Sequence, residues 1–317
     1  MFYRNASELK QTHNWALTYR FAELIRKIWS SKNFKGHVSP HEVYQEVSLA
    51  SEKRFSIGET KDPLSFIAWF FNALSDGFKR NHLRINHSHK VAPLKSTIIE
   101  DTFQGEIEIS TLKPKDSNNT GKTQRGIDAQ YMMTEEVKKF LFLSLDVPPM
   151  PLFKDDSEKL TIPQIPLQVL LKKFDGKTFV EEKGTTIRKR MKLKKLPKYL
   201  IFHIKRFSKN QFFKEKNHTI INIPLNILDM GPLIDWQSTG EQHRYMLIAN
   251  IKHNGDAEEG FFTVQVRYRP EDDIWYEIQD LHVNKVMPQQ VAISESYILV
   301  YEKLQHSEEV KESNKYF

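Results

Sequence analysis

Apolar residues in the first ninety positions recur at helical spacing, and after Asn81 the spacing shortens to alternation. "SELKQTHNWALTYRFAELIRKIWSS" places Leu17, Phe21, Leu24, Ile25 and Ile28 on one stripe of a first helix. A second start signal lies in "SPHE", where Ser39 serves as cap, Pro40 as first helical residue and Glu42 as the far side of a capping box. Asp62 and Pro63 open a third helix whose apolar side is Leu64, Ile67, Phe71, Leu74 and Phe78. The neighbouring Phe70 and Trp69 predict that this helix is buried on more than one face. Beyond it, "STIIEDTFQGEIEIST" and "KKFLFLSLDV" read as strands around a polar loop, "KPKDSNNTGKTQRG". "PLQVLLKKF" reads as a short helix closed by Gly176.

From Lys194 the pattern is strands: "KYLIFHIKRF", "HTIINIP", "YMLIANIKH", "FFTVQVRY", "IWYEIQDLHV" and "SYILVYEK". Helices first and strands afterwards predict an α+β architecture and not a doubly wound parallel sheet. Within "HNGDAEEGFFTVQV", alternation puts Phe262, Val264, Val266 and Tyr268 on an inner face and Thr263, Gln265 and Arg267 on a polar one. Phe261 falls on that polar side, directly after Gly260, where a polar residue is expected.

The chain has 317 residues, of which 39% are hydrophobic and 12% aromatic, enough to build a core. Lys and Arg number 47 against 40 Asp and Glu, a net charge of +7 that is compatible with ribonucleoprotein neighbours without requiring them. Cysteine is absent, which removes disulfides, thiolate metal sites and any cysteine nucleophile from these residues. No apolar run is long enough to span a bilayer, and "MFYRNASELKQTHNW" lacks the apolar core of a signal peptide.

Chemistry-bearing patterns are few. "HLRINHSHK" brings His82, His87 and His89 together, but no carboxylate at suitable spacing completes a metal site, and no metal or cofactor is expected. The 12 glycines form neither a Walker nor a dinucleotide pattern, and no G-x-S-x-G elbow occurs. His203 sits inside a strand and reads as a hydrogen-bonded structural group. "IRKRMKLKKLPKYLIFHIKRFSKN" gathers Arg188, Lys189, Arg190, Lys192, Lys194, Lys195, Lys205 and Arg206, either as one solvated face of a hairpin or as a phosphate-contacting or nuclear-targeting cluster.

Four blocks carry a specific likeness. "LPKYLIFHIKRF" (Leu196 to Phe207), "YMLIANIKHNGDAEEGFF", "WYEIQDLHV" and "SESYILVYEK" resemble the strand motifs of the ubiquitin-specific proteases, and "DPLSFIAWFFNAL" is similar to a helix of that family. The likeness runs from about Phe21 to Glu302 and implies a papain-like fold of fingers, palm and thumb. The domain it implies covers 1–305, with a helical thumb at 1–95, fingers at 96–190 and palm at 191–305, followed by a flexible tail at 306–317. Position by position, the family's general-base histidine falls on Phe261 and the residue that orients it falls on Gln279, beside Asp280. Phe cannot accept a proton, so the resemblance implies a pseudoenzyme with no catalytic residue. The family's cysteine box, its fingers zinc ligands and a zinc-finger domain have no match here, and an N-terminally incomplete fold is expected.

"RKIWSSKNFKGHVSPHEVYQEV", "IPQIPLQVLLKKFDG" and "FFKEKNHTIINIP" are similar to the inactive branch of the family that acts in pre-mRNA splicing. That implies a nuclear, non-enzymatic module that helps assemble or stabilise the spliceosomal tri-snRNP. Its partners would be tri-snRNP proteins, with direct or indirect contact to small nuclear RNA and no membrane. A ubiquitin-binding pseudoenzyme is the alternative. Phe261 beside the channel for ubiquitin's tail predicts weak or no ubiquitin binding.

Overall fold

Leu17, Phe21 and Leu24 line one stripe of the first helix, α1 (His13–Ile28), as its periodicity predicts, while Ile28 at its end is exposed. The computed structural model describes residues 13–32, 36–85, 95–114, 131–149, 162–181, 186–209, 214–234, 240, 242–268 and 273–304. The expected tail at 306–317 and the loop "KPKDSNNTGKTQRG" from position 115 on lie outside them, as do His87 and His89. The chain forms two compact units, Met1–Thr102 and Phe103–Phe317.

In the first unit, Leu17 packs with Val43 and Val47 of α2 (His41–Ala50), Phe55, and Ala73 of α3 (Pro63–Ile85). The Phe21 and Phe70 rings meet edge to face with centroids 5.0 Å apart. Phe66, Trp69 and Phe70 face this cluster, and Leu74 is buried as well, so α3 is apolar on more than one side. Asp62 caps α3 by accepting bonds from the amides of Leu64 and Ser65 at 3.2 and 3.0 Å. The expected box on α2 does not form: Pro40 is the N-cap with no side-chain cap bond, and the Ser39 hydroxyl accepts instead from the His41 amide at 3.4 Å. His82 lies in α3, which continues to Ile85. Ile98–Phe103, expected as a strand, is a helix, α4. The reason is a T-x-x-E capping box: the Glu100 amide donates to Thr97 Oγ1 at 3.3 Å, and the Thr97 amide donates back to Glu100 Oε2 at 3.1 Å.

In the second unit the described strands form a four-stranded sheet, an eight-stranded sheet and two two-stranded pairs. β1 (Gly105–Pro114) and β2 (Tyr131–Phe140) join β5 (Asp175–Glu181) and β6 (Arg188–Lys195) in an antiparallel sheet ordered β2-β1-β6-β5. β3 (Leu143–Asp146), although inside the segment expected as fingers, runs parallel to β7 (Tyr199–Lys205) at one edge of the large sheet. β4 (Gln164–Pro166) leads into α5 (Leu167–Leu171), which a 3-10 turn extends to Phe174 before Gly176 turns the chain at φ +71°. β8 (Phe207–Lys209) pairs β9 (Lys214–Lys216), and β10 (Ile220–Asn222) pairs β4.

The large sheet has eight strands. β15 (His282–Val286), β14 (Ile274–Gln279), β13 (Gly260–Tyr268), β12 (Arg244–Gly255), β16 (Ser296–Lys303), β7 and β3 follow in that order, with β11 (Leu228–Asp229) beside β12. One cluster fills its core, including Leu200, Phe202, Leu247, Trp275, Leu299 and Tyr301. Helices first and strands after give the expected α+β class.

One strand is inside out relative to its pattern. On β13 the buried face is the polar one, with Thr263 and Gln265 fully enclosed and the Arg267 side chain nearly so. Val264 and Val266 are only half-buried, and Tyr268 is exposed. Each enclosed polar group has a partner that alternation does not reveal. Thr263 Oγ1 accepts from Asn254 Nδ2 at 3.1 Å, Gln265 Oε1 accepts from Asn250 Nδ2 at 2.9 Å, and Arg267 bonds Asn226 and Asp273 at 2.8 Å each.

Candidate functional site

Strands β12, β13 and β14 bring Phe261 and Gln279 to one end of the large sheet. Phe261 pairs Asn254 across the β12–β13 ladder, and Gln279 ends β14 one step beyond the Val264–Ile278 pair. By register both side chains share the face of Thr263 and Gln265. Phe261 is 47% exposed there.

Beneath it the same face holds a polar chain, in which Asn250 Oδ1 is buried without a hydrogen-bond partner. Asn250 Nδ2 donates to Gln265 Oε1 and to Ser294 Oγ at 2.9 and 2.7 Å. Gln265 Nε2 donates to Glu277 Oε2 at 2.8 Å, and Lys252 Nζ meets that same oxygen at 2.8 Å. Burial pushes the Glu277 carboxyl up, but the bonds from Lys252 and Gln265 outweigh it and hold the group below the usual carboxylate range. A carboxylate kept charged by a lysine and an amide is a poor proton acceptor. The described hydroxyls nearby are bound to an amide or to one another: Thr263 to Asn254, and Ser294 to Asn250 and Ser296.

The nearest imidazole points the other way. His253 pairs Phe262 and not Phe261, so its ring lies on the opposite face of the sheet. It stands edge-on to Phe207 and Phe262, with both centroid distances 4.9 Å, and Phe262 in turn packs on Tyr297 at 5.2 Å. Its Nδ1 is buried with no hydrogen-bond partner. Burial, followed by the Lys216 ammonium, lowers its pKa and keeps the ring neutral. Gly260 makes room for it: a Cβ there would run into the His253 ring and lie 2.7 Å from the Asn254 carbonyl.

A cationic clamp supports this ring cluster. The buried Lys216 ammonium bonds the His253 and Gly255 carbonyls at 3.1 and 2.5 Å and the Glu295 carboxylate at 2.5 Å. His218 Nδ1 lies 2.9 Å from the other Glu295 oxygen. Burial raises the Glu295 carboxyl, yet the bonds from Lys216 and His218 win and its pKa is lowered. Arg206 is fully buried and donates to the carbonyls of Ser296, Asn217 and Thr219 at 2.5, 3.0 and 2.6 Å. Burial brings its pKa down to about 10.

Arg206 therefore leaves the basic patch to which its sequence neighbours assigned it. Lys205 pairs with Asp146 at 2.8 Å, Arg188 with Glu181 at 3.0 Å and Lys194 with Glu108 at 3.1 Å. By alternation Arg188, Arg190, Lys192 and Lys194 share one face of β6, opposite Met191 and Leu193, and Arg190 lies 3.8 Å from Glu135, so carboxylates pair three of these four cations. His203 is hydrogen-bonded to Ser144 Oγ at 3.2 Å, as expected of a structural histidine. Among the described residues no cluster of His, Cys, Asp and Glu has metal-binding geometry. The enclosed Asn250–Gln265–Glu277–Lys252 chain and the Lys216–Glu295–His218 group carry no local sequence signal. Their members come from different strands and meet only through register.

The fold has known counterparts. A family model described as ubiquitin carboxyl-terminal hydrolase matches residues 1–301. The human protein ubiquitin carboxyl-terminal hydrolase 39 is 40% identical over 312 residues, covering 96% of this chain and 53% of its own length. The probable mRNA-splicing protein ubp10 of Schizosaccharomyces pombe is 39% identical over 310 residues, covering 95% and 60%. A solved structure described as an essential yeast splicing factor shares the fold at a TM-score of 0.61 and 24% identity, over 96% of this chain and 62% of that one. The chain thus spans about half the length of the curated relatives it matches. With the papain-like fold of that family in its described residues, the chain belongs to the ubiquitin carboxyl-terminal hydrolase family.

Proposed function

We infer that this chain is a non-enzymatic member of its family, a pseudoenzyme that works in the nucleus as a splicing module in the assembly or stability of the spliceosomal tri-snRNP. The observation that carries the reading is the occupant of the site. Where the resemblance puts a general base there is Phe261, and the one imidazole close by in sequence is neutral, enclosed and on the opposite face. A thiol brought in from outside these residues would still meet a ring that takes no proton. Support for the splicing role comes from the 39% identity, along almost the whole chain, to a relative named as a probable mRNA-splicing protein. The net charge of +7 suits a phosphate-rich assembly, through protein neighbours or direct contact with small nuclear RNA.

The test is a tagged pull-down from nuclear extract that reads both RNAs and proteins. Small nuclear RNAs retained together with tri-snRNP proteins support the reading, and a nuclease-treated repeat separates protein contact from RNA contact. Recovery of ubiquitin conjugates without those RNAs would replace it with a ubiquitin reader. Titration with free ubiquitin is expected to show weak or no binding.

A further inference from the structure

The two edges of the large sheet are finished differently. At one end, β3 buries Leu143 and Leu145, and its last residue, Asp146, is held by Lys173 and Lys205 at 2.6 and 2.8 Å. At the other end, among the described residues, β15 pairs only with β14, and its outer backbone edge is open. In an antiparallel ladder alternate residues turn their N–H and C=O groups away from the partner strand, so this edge offers unpaired donors and acceptors.

One face of that edge carries exposed apolar side chains, while His282 and Asn284 are exposed on the other. Leu281 is 94% exposed, Val283 59% and Met287 67%, and with Lys285 they occupy every second position from 281 to 287. Asp280, in the left-handed region at φ +51°, makes the tight turn that lifts Leu281 out of β14. By register the row continues inward across the same face: Val283 is opposite Ile278, Lys285 is opposite Tyr276, and these neighbour Val264 and Val266 of β13. This is the apolar face that the inside-out burial of β13 leaves only half-covered. Natural edges are blunted by charge, and here Lys285 is the single fully charged side chain from Leu281 to Met287.

We propose that β15 is a docking edge for an extended segment of a partner protein, added as a further strand of the large sheet. Its side chains on this face are apolar, with one carboxylate placed to meet Lys285. Open backbone supplies affinity, the Leu281–Val283–Met287 row supplies side-chain recognition, and the lone cation supplies register. The proposal deepens the non-enzymatic reading, on which it rests for its biological setting. It is tested without nuclear extract, so failure of one is distinguishable from failure of the other.

The probe is an end-blocked, fluorescent nonapeptide of alternating valine and threonine with a central glutamate on the valine side. Titration into the full chain is expected to give saturable anisotropy, with backbone amide shifts confined to Leu281–Met287 and the facing residues of β14. Val283→Asp and Met287→Lys, both at exposed positions, are each expected to weaken binding about tenfold. Lys285→Glu should weaken the glutamate peptide and restore binding of its lysine counterpart, a swap that misfolding cannot produce. No saturation by about 1 mM, where binding free energy is only about −4 kcal/mol, overturns the proposal. So do shifts elsewhere on the sheet or equal affinity of Lys285→Glu for both peptides. Concentration-dependent dimers in sedimentation that Val283→Asp abolishes would overturn it in favour of a second copy on the same edge.

Discussion

Phe261 is on β13 where the family resemblance puts a general base, and a phenyl ring takes up no proton at any pH. The expected outcome is that Phe261→His leaves the rate of ubiquitin–fluorophore cleavage at blank level, because these residues still supply no thiol. Cleavage above blank by either form would refute the pseudoenzyme reading. Arg206 is the residue whose loss the fold should feel most. Its guanidinium satisfies three buried carbonyls, and each buried group left without a partner costs about 1–3 kcal/mol. Arg206→Met is therefore expected to destabilise the chain by more than about 3 kcal/mol in urea titration. The sequence showed Arg206 as one more cation beside Lys205. Nothing local distinguishes a guanidinium in solvent from one clamped by carbonyls of Asn217, Thr219 and Ser296, residues 11 to 90 positions away.

Elements were legible where their signals are short-range. Asp62 and Pro63 fix the start of α3, and alternation finds β7, β10, β12, β13, β14 and β16, but it misses the short β8, β9 and β11 and the turn at Asp280 that separates β15 from β14. Asp62→Ala should lower stability by about 1 kcal/mol, read as a drop in the midpoint of the helical signal at 222 nm. An unchanged midpoint would mean that packing of Phe66 and Trp69 alone fixes the start. Two elements differ from their pattern for distinct reasons. In α4 the apolar Ile98 and Ile99 suggest a strand, but the Thr97–Glu100 box, a four-residue pattern inside an apolar-rich stretch, starts a helix. On β13 alternation gives the period but not the side. The choice of side was made by Asn250, Asn254, Glu277 and Asp273, which come from other segments. The Lys216–Glu295–His218 clamp, whose members come from separate segments, leaves no local signal in the sequence.

At the scale of the whole molecule, protons bind where the fold has hidden charge. His253 has its folded pKa below the ordinary 6.5, so the unfolded chain takes up a proton first as the medium acidifies. Stability is thus expected to fall as pH drops below about 6.5. Glu295 also has its folded pKa below the ordinary 4.5, so its contribution is present above that value and is lost as pH falls through the folded one. Denaturant midpoints measured from pH 8 to 3 should therefore decline in two stages. His253→Phe should flatten the first stage and Glu295→Gln the second. If neither variant changes the profile, the cluster around Lys216 does not govern acid sensitivity.

Gly260 and Phe261 are neighbours with opposite freedoms. A side chain at 260 would drive into the His253 ring and the Asn254 carbonyl, whereas the ring at 261 stands half in solvent. On the pseudoenzyme reading proposed above, selection has no hold on position 261, and packing retains its hold on the spacer beside it. Among relatives that share that reading, position 261 is then free to drift through most of the alphabet, while Gly260 is kept by the ring and carbonyl that a side chain there would strike.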